Sequence, residues 1–316
     1  MSDGAARKRI LVVKLGALGD IVLATGPFRA IRAHHPDARI TLLTGAPYAD
    51  FLRMSGWFDE IWTDDRPPLH APRRWLALRR RLRDGRFDRV YDLQTSDRSG
   101  WYFRLMGPGA RPEWSGIAPG CSHPHANPRR DFMHSIERQA EQLAMAGIDE
   151  VPESDVSWAV ADIDRFDLPD RFALLVPGGA PHRPEKRWPA DRYAGLARIL
   201  AARGAAPVIL GAAAEAPLAA EIRAACPEAV DLTGRTGLVD IAALARAASG
   251  AVGNDTGPMH MIAASGCPSV VLFSAASDPA LTAPRGAAVT VLRREALETL
   301  SLDEVELSLI SQREET

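Results

Sequence analysis

An α/β chain built as two doubly wound halves is the fold class this sequence predicts, on three observations. Short apolar runs of strand length alternate with longer stretches of helical spacing, the mark of parallel strands joined by covering helices. The alternation stops over Pro152–Asp170, a short, acidic, proline-bounded stretch, and then restarts. The length of 316 residues suits two domains of about 150 each.

In the first half Ile10–Leu15, Arg39–Thr44, Glu60–Thr63 and Arg89–Leu93 read as strands, each short, apolar and bounded by Gly, Pro or Asp. Ile21–His34, Tyr48–Ser55 and Pro72–Arg83 carry helical spacing. Ile21, Ala24, Phe28 and Ile31 share a face, and Pro27 marks a kink. Gly107–Arg130 has repeated Pro and Gly without periodicity and reads as a long loop, followed by a helix over Phe132–Gly147.

The second half repeats the pattern. Strand Phe172–Val176, helix Ala190–Arg203, strand Pro207–Leu210 and helix Ala216–Ala225 come first, then Val230–Leu232, helix Leu238–Ala248 and strands Ala251–Gly253 and Ser269–Phe273. Ser301–Ile310 closes the chain as a helix capped by Ser301, with Glu304 three residues on. The expectation is an N-terminal domain over 1–155 and a C-terminal domain over 156–316, facing a cleft. The last helix is expected to pack back on the N-terminal domain.

Composition excludes several classes. Hydrophobic residues at 46% and charged residues at 25% describe a globular chain rather than a disordered one. A net charge of −2 argues against a general nucleic-acid binder. Three widely spaced cysteines, Cys121, Cys226 and Cys267, imply no disulfide framework. No apolar run approaches the roughly 18 residues of a membrane helix, and Ile10–Leu15 is too brief for a signal h-region. The expected location is cytoplasmic. Lysine occurs only at Lys8, Lys14 and Lys186, and two of these fall inside motifs.

Lys14-Leu-Gly-Ala-Leu-Gly-Asp20 follows the first strand and opens the first helix. Gly16 and Gly19 allow a tight turn and close approach of a ligand, but the spacing is neither G-x-G-x-x-G nor a P-loop. Asp20 sits in the first helical turn at the C-terminal sheet edge, where α/β proteins bind ligands. The helix N-terminus favours its ionised form, which suits a general base; a plain helix cap is the alternative.

Pro177-Gly-Gly-Ala-Pro-His-Arg-Pro-Glu-Lys186 begins as a glycine turn at Gly178 and Gly179 and carries a lone lysine suited to a phosphate or leaving-group oxygen. A solvated loop charge is its bland reading. Gly253-Asn-Asp-Thr-Gly-Pro-Met-His260 lies between a strand and an Ala-rich helix. Asp255 or Thr256 would cap that helix, with Gly257 in its first turn, leaving N–H groups free for a diphosphate. His260, one turn on, either reaches the same site or is a buried structural histidine. Glu215, after a strand end, suits ribose hydroxyls or simply the first turn of a helix.

Pro72–Arg86 is a helix with Trp75, Leu78 and Leu82 on one stripe and seven arginines, Arg79 and Arg80 among them, on the remainder. It suits an anionic acceptor or an anionic membrane surface, or an ordinary surface helix. Cys121, His123, His125 and His134 are of metal-ligand type, but their proline-broken spacing matches no common zinc pattern, so no metal is expected.

Taken in order, the Lys14–Asp20, Pro177–Pro189 and Asp255–His260 segments resemble the glycosyltransferase family 9 proteins, the ADP-heptose:lipopolysaccharide heptosyltransferases. The resemblance spans most of the chain. It implies a GT-B fold of two Rossmann-like domains, with acceptor recognition in the first and donor binding in the second. It implies an inverting transfer from a nucleotide sugar, with no metal or other cofactor, to a lipopolysaccharide core or related anionic glycolipid. Peripheral contact with the inner membrane surface follows from that acceptor.

Residue by residue, Asp20 matches the family's base and Lys186 the lysine that steadies the departing nucleotide. Asp255, Thr256, Gly257 and His260 match the donor motif, with Gly178 and Gly179 beside it, and Glu215 matches the ribose-binding glutamate. Lys14, Gly16 and Gly19, with Arg79 and Arg80, fall to the acceptor side. The family's proline after the glycine–aspartate pair comes one residue earlier than Pro27, and Gly107–Arg130 matches nothing in it. A nucleotide-sugar epimerase and a non-catalytic nucleotide-sugar-binding protein are the competing readings; the missing glycine fingerprint disfavours a nicotinamide dehydrogenase.

Overall fold

The computed structural model describes residues 7–68, 70–107, 109 and 111–314. The chain divides into two compact units, Met1–Glu153 and Ser154–Thr316.

The first unit runs β1 (Arg9–Val13), α1 (Leu18–Leu23), α2 (Thr25–His34), β2 (Arg39–Thr44), α3 (Ala46–Arg53), β3 (Glu60–Thr63), α4 (Pro72–Asp84), β4 (Arg89–Asp92), α5 (Asp97–Met106), β5 (Glu113–Gly116), β6 (His123–Pro124) and α6 (Ser135–Ala144). Its six strands lie in the order β3-β2-β1-β4-β5-β6, and every pairing is parallel. Ile10, Leu11, Val12 and Val13 are all fully buried. A parallel strand covered by helices on both faces has no side to spare for polar residues, which is why β1 reads as a continuous apolar run.

Three expectations for this unit are corrected. The helix over Ile21–His34 is two helices, broken at Ala24, and Pro27 sits in the first turn of α2, where its missing N–H costs nothing. Gly107–Arg130 is not one long loop: it contributes β5 and β6 to the sheet edge. α5, absent from the sequence reading, is capped by the Ser96 side chain, which accepts from Ser99 N. The apolar stripe of α4 does turn inward. Leu78 and Leu82 join Leu11, Val13, Tyr102, Phe103 and Trp114 in one core, with Trp75 packed against it, each leucine worth about 1.5–3 kcal/mol of burial.

The second unit runs β7 (Phe172–Val176), α7 (Ala190–Ala202), β8 (Ala206–Ile209), α8 (Ala216–Ala225), β9 (Val230–Asp231), α9 (Leu238–Ala247), β10 (Ala251–Asn254), α10 (Gly257–Ala264), β11 (Ser269–Phe273), α11 (Pro279–Thr282), β12 (Val289–Arg293) and α12 (Leu302–Glu314). Its strand order, β12-β11-β10-β7-β8-β9, is again fully parallel. β12 is an addition to the sequence expectation, and Leu292 breaks the alternation of Val289-Thr-Val-Leu-Arg293. The closing helix packs against β10, β11, β12 and α7. Ser301 and Glu304 form the expected capping box, Glu304 N donating to Ser301 Oγ (3.3 Å) and Ser301 N to Glu304 Oε2 (3.1 Å).

Both sheets share the Rossmann order, in which the direction of winding reverses beside the first strand. Crevices at such reversals, outside the carboxyl ends of the strands, are where open α/β sheets hold ligands. In the first unit the reversal lies between β1 and β4, in the second between β7 and β10.

Candidate active site

The first-unit motif lies directly at its reversal. Lys14 follows β1 and is buried; its Nζ donates to Leu93 O (3.2 Å) and lies 3.6 Å from Asp20 Oδ1. Burial pushes the ammonium below the usual lysine range, opposed by the Asp20 and Asp92 carboxylates. Asp20 is the third residue of α1. Its Oδ2 accepts from Ala17 N at 3.2 Å, so the cap reading holds, while its side chain stays 40% exposed and within reach of solvent. One carboxylate therefore caps the helix, pairs with a buried cation and remains accessible.

Gly16 adopts φ +116°, a left-handed conformation, and a Cβ there would come 2.5 Å from the Tyr48 ring. Gly19 is buried within α1. Arg66 donates to Leu15 O (3.1 Å), and the half-buried Arg138 adds positive charge near Asp20.

Asp92, which the sequence reading did not single out, ends β4 with no exposed surface. Its Oδ1 accepts from Gln94 N (3.1 Å) and Thr95 N (3.0 Å). Burial raises its carboxyl to about 6, against the Ser99 hydroxyl, the two amides and Lys14. A lone acid closing an apolar strand at the carboxyl edge of the sheet was the signal available for it.

Arg79 and Arg80 hold other partners: Arg79 Nε donates to Leu105 O (3.3 Å), and Arg80 lies 3.5 Å from Asp84 on an exposed surface. The structure does not join them to the Asp20 cluster. The cysteine and histidines of the 121–134 stretch are also engaged separately. Cys121 Sγ contacts Gly116 O at 3.7 Å, His125 pairs with Glu141 (3.0 Å), and His134 with Glu137 (3.2 Å). Among the described residues no group of three or more His, Cys, Asp or Glu side chains is arranged to hold a metal ion.

In the second unit the three donor-side segments converge at the β7–β10 reversal. Asn254, fully buried at the end of β10, organises them. Its Nδ2 donates to Pro177 O (2.8 Å) and Gly178 O (3.0 Å), and its Oδ1 accepts from Trp188 N (2.9 Å) and the Tyr193 hydroxyl (3.1 Å). Every donor and both acceptor positions of the amide are used. The glycine turn and the Lys186 loop are thus tied to one strand end.

Lys186 Nζ lies 2.7 Å from Asp255 Oδ2, an oxygen that also accepts from Ser277 Oγ (2.8 Å). Thr256 occupies the N-cap of α10, with Gly257 and Pro258 in the first turn; its hydroxyl turns to Asn254 O (3.2 Å) instead of capping. His260 is buried one turn further in.

Glu215 Oε1 accepts from Gly179 N and Oε2 from Ala212 N, both at 2.8 Å. A Cβ at Gly178 would fall 1.7 Å from Glu215 Oε1, so the carboxylate occupies space that only glycine leaves. Every donor-side residue picked from the sequence sits in this one unit at one sheet edge. Asn254 and Ser277 are the partners it missed; Asn254 lay inside the quoted motif, but Ser277 carries no local signal.

Two parallel six-stranded sheets of Rossmann order, each with its loops gathered at the carboxyl edge, define an α/β protein of the GT-B type. The family described as glycosyltransferase family 9 (heptosyltransferase) matches residues 75–307, and the chain belongs to it. It is a glycosyltransferase. Among curated relatives, lipooligosaccharide heptosyltransferase 2 of Haemophilus influenzae is 38% identical over 120 residues, 36% of this chain and only 34% of that protein. Lipopolysaccharide heptosyltransferase 2 of Escherichia coli K12 is 26% identical over 313 residues, 90% of this chain and 88% of that one. The solved E. coli ADP-heptose lps heptosyltransferase II shares the fold at a TM-score of 0.78 and 24% identity, over 97% of this chain and 99% of that one.

Proposed function

We propose that this enzyme moves heptose from ADP-heptose onto an anionic glycolipid of the lipopolysaccharide core, in a single inverting, metal-independent displacement. The observation that carries the reading is the Lys186–Asp255 pair, set between the Gly178–Gly179 turn and the N-terminus of α10. A cation and free backbone N–H groups at one sheet edge suit a nucleotide diphosphate. The ADP-heptose and lipopolysaccharide named for the relatives supply the sugar and the acceptor class.

In this scheme the acceptor oxygen bonds to the anomeric carbon as the bond from that carbon to the diphosphate oxygen breaks. The acceptor proton passes to Asp20, and the electron pair leaves with ADP, whose growing charge faces Lys186. One displacement inverts the anomeric centre, and one carboxylate base suffices, unlike the paired carboxylates of a retaining hydrolase. Lys186 supplies the leaving-group charge that a divalent cation supplies in metal-dependent transfer.

Glu215 takes the ribose hydroxyls, exchanging at least one backbone partner for them, and Gly178 and Gly179 let the backbone approach. Thr256, Gly257 and His260 hold the diphosphate and sugar. Lys14, Gly16 and Gly19 shape the acceptor side. The outward arginines of α4, Arg80 among them, meet an anionic surface, which places the enzyme at the cytoplasmic face of the membrane. No helix among the described residues is long and apolar enough to cross one.

The test is a donor screen by calorimetry with ADP, UDP, GDP and their sugars, followed by transfer assays in EDTA on parent and Asp20→Ala. Expected are preference for ADP-heptose, transfer that survives EDTA with inverted product, and a loss of about 10²–10⁴-fold in Asp20→Ala. Preference for UDP or GDP would discard heptose. Undiminished transfer by Asp20→Ala would remove the assigned base.

A further inference from the structure

We propose that α4 and α5 of the first unit form the face that docks on an anionic lipid leaflet, with Leu76 and Trp101 entering among the headgroups. The choice of a lipid rests on the glycolipid acceptor proposed above.

The two helices follow β3 and β4, so both start at the carboxyl edge of the sheet, where Asp20 also lies. Leu76 and Trp101 are each the fifth residue of their helix, and they are 62% and 48% exposed. A single exposed apolar side chain needs no explanation. Two that meet on adjacent helices do.

α4 and α5 pack together, and two contacts fix which sides meet. Arg79 Nε of α4 donates to Leu105 O of α5 (3.3 Å). The Arg98 guanidinium of α5 lies over the Trp75 ring of α4, 5.4 Å from its centre. Residues three or four apart share one side of a helix. Leu76 stands three before Arg79, and Trp101 stands three after Arg98 and four before Leu105. Both exposed side chains therefore border one seam, on its solvent side.

Cations surround that seam. Arg73, Arg80 and Arg83 stand three before, four after and seven after Leu76, and all are exposed. The exposed Arg104 guanidinium lies 4.8 Å from the centre of the Trp101 ring. Arg80 is 3.5 Å from Asp84, but Arg73, Arg83 and Arg104 have no carboxylate partner among the described residues. Asp97, in the first turn of α5, is the exposed acid on that helix. The chain as a whole carries a net charge of −2, so the positive charge here is a local concentration.

Unpaired arginines around only two apolar side chains fit a leaflet better than a protein. Leucine and indole are enough to enter the headgroup layer, while the guanidinium groups stay at the phosphates. They are too few to form the apolar centre of a protein interface.

The face is also tied to the acceptor motif. Arg98 Nη2 donates to Pro67 O (3.2 Å) and Trp75 Nε1 to Pro68 O (3.0 Å). Arg66 of the same segment donates to Leu15 O (3.1 Å), next to Lys14. A leaflet held by α4 and α5 thus has a fixed relation to the Asp20 loop.

The experiment titrates the whole chain with sucrose-loaded vesicles of phosphatidylcholine, with and without one third phosphatidylglycerol, at low and high salt. Binding to the anionic vesicles should be about tenfold or more tighter than to the zwitterionic ones, and should be lost at high salt. Leu76→Gln with Trp101→Gln should weaken it about tenfold with an unchanged thermal midpoint, because both side chains lie outside the core. Arg83→Gln with Arg104→Gln should weaken it by a similar factor. The Leu76–Trp101 variant should transfer sugar to a deacylated, water-soluble core acceptor within about twofold of the parent. With the same acceptor lipid-anchored in anionic vesicles, its rate should fall about tenfold.

Equal binding of the parent to both vesicle types would overturn the proposal. So would no binding to either, which would leave the face to an acidic protein, or parent-like binding by the Leu76–Trp101 variant. If the parent binds anionic vesicles as expected but transfers to neither acceptor, the acceptor reading falls and the docking face stands. If it transfers to both and binds no vesicle, the docking face alone falls.

Discussion

Lys186 and Asp255 form an ion pair of 2.7 Å with side chains only 14% and 10% exposed, although 69 residues separate them in the chain. Removing one partner of a buried pair strands the other, at a cost of about 3–5 kcal/mol, whereas replacing both can be nearly neutral. Lys186→Ala should therefore both unfold at lower urea and lose transfer. Lys186→Met with Asp255→Asn should recover most of the stability and none of the activity. Urea titration beside the transfer assay separates the two effects; recovery of activity in the double variant would show that Lys186 serves structure alone.

The adjacent glycines of the turn after β7 should respond differently to the same substitution. At Gly178 a Cβ lands 1.7 Å from Glu215 Oε1, so the carboxylate must leave the Gly179 and Ala212 amides. At Gly179 the nearest atoms lie 3.5 and 3.6 Å away, ordinary contact. Stranded amides cost about 1–3 kcal/mol. Gly178→Ala should weaken ADP binding about tenfold or more and lower the thermal midpoint, whereas Gly179→Ala should leave the thermal midpoint unchanged. Calorimetric titration with ADP decides: unchanged affinity in Gly178→Ala would separate Glu215 from the nucleotide site.

Two groups of the first unit give stability opposite slopes in the same pH window. Burial raises the Asp92 carboxyl from 3.8 to about 6, so between those values the folded chain holds the extra proton and stability falls as pH rises. The amount is about 3 kcal/mol. His35 is lowered from 6.5 to about 4, first by burial and then by His34, Arg89, Lys8 and Arg32. There the unfolded chain holds the extra proton, and stability rises with pH, by a smaller amount because His35 is only half-buried. Relative to the parent, Asp92→Asn should steepen the rise of thermal midpoint from pH 4 to 6.5. His35→Gln should instead favour acid. Superimposable curves for Asp92→Asn and parent would show that Asp92 does not titrate there.

Legibility followed burial. Strands such as β1 and β7 could be read because parallel strands covered on both faces must be apolar throughout, so the run itself is the evidence. β5 and β6 could not. Glu113-Trp-Ser-Gly116 and the two residues His123–Pro124 are strand only because a neighbour's edge accepts them, and nothing local says so. α5 has a glycine at its centre, Gly100, which weakens the helical signal that its Ser96 cap supplies. In the arginine helix the stripe of Leu78 and Leu82 was legible, but the partners of Arg79 and Arg80 were not.

The amino-acid order alone determined the two α/β halves, the family and the motif residues at the strand ends, because each follows from a local pattern: apolar runs, helical spacing, and glycines where a turn must be tight. Only the tertiary structure decided who stands beside whom. It set Asp255 against Lys186, Glu215 against the Gly179 amide, and Asp20 against Lys14. The reason is that parallel sheets place consecutive strand ends at one edge in an order the chain does not follow, so groups distant in sequence meet where charge is buried and its partners matter most.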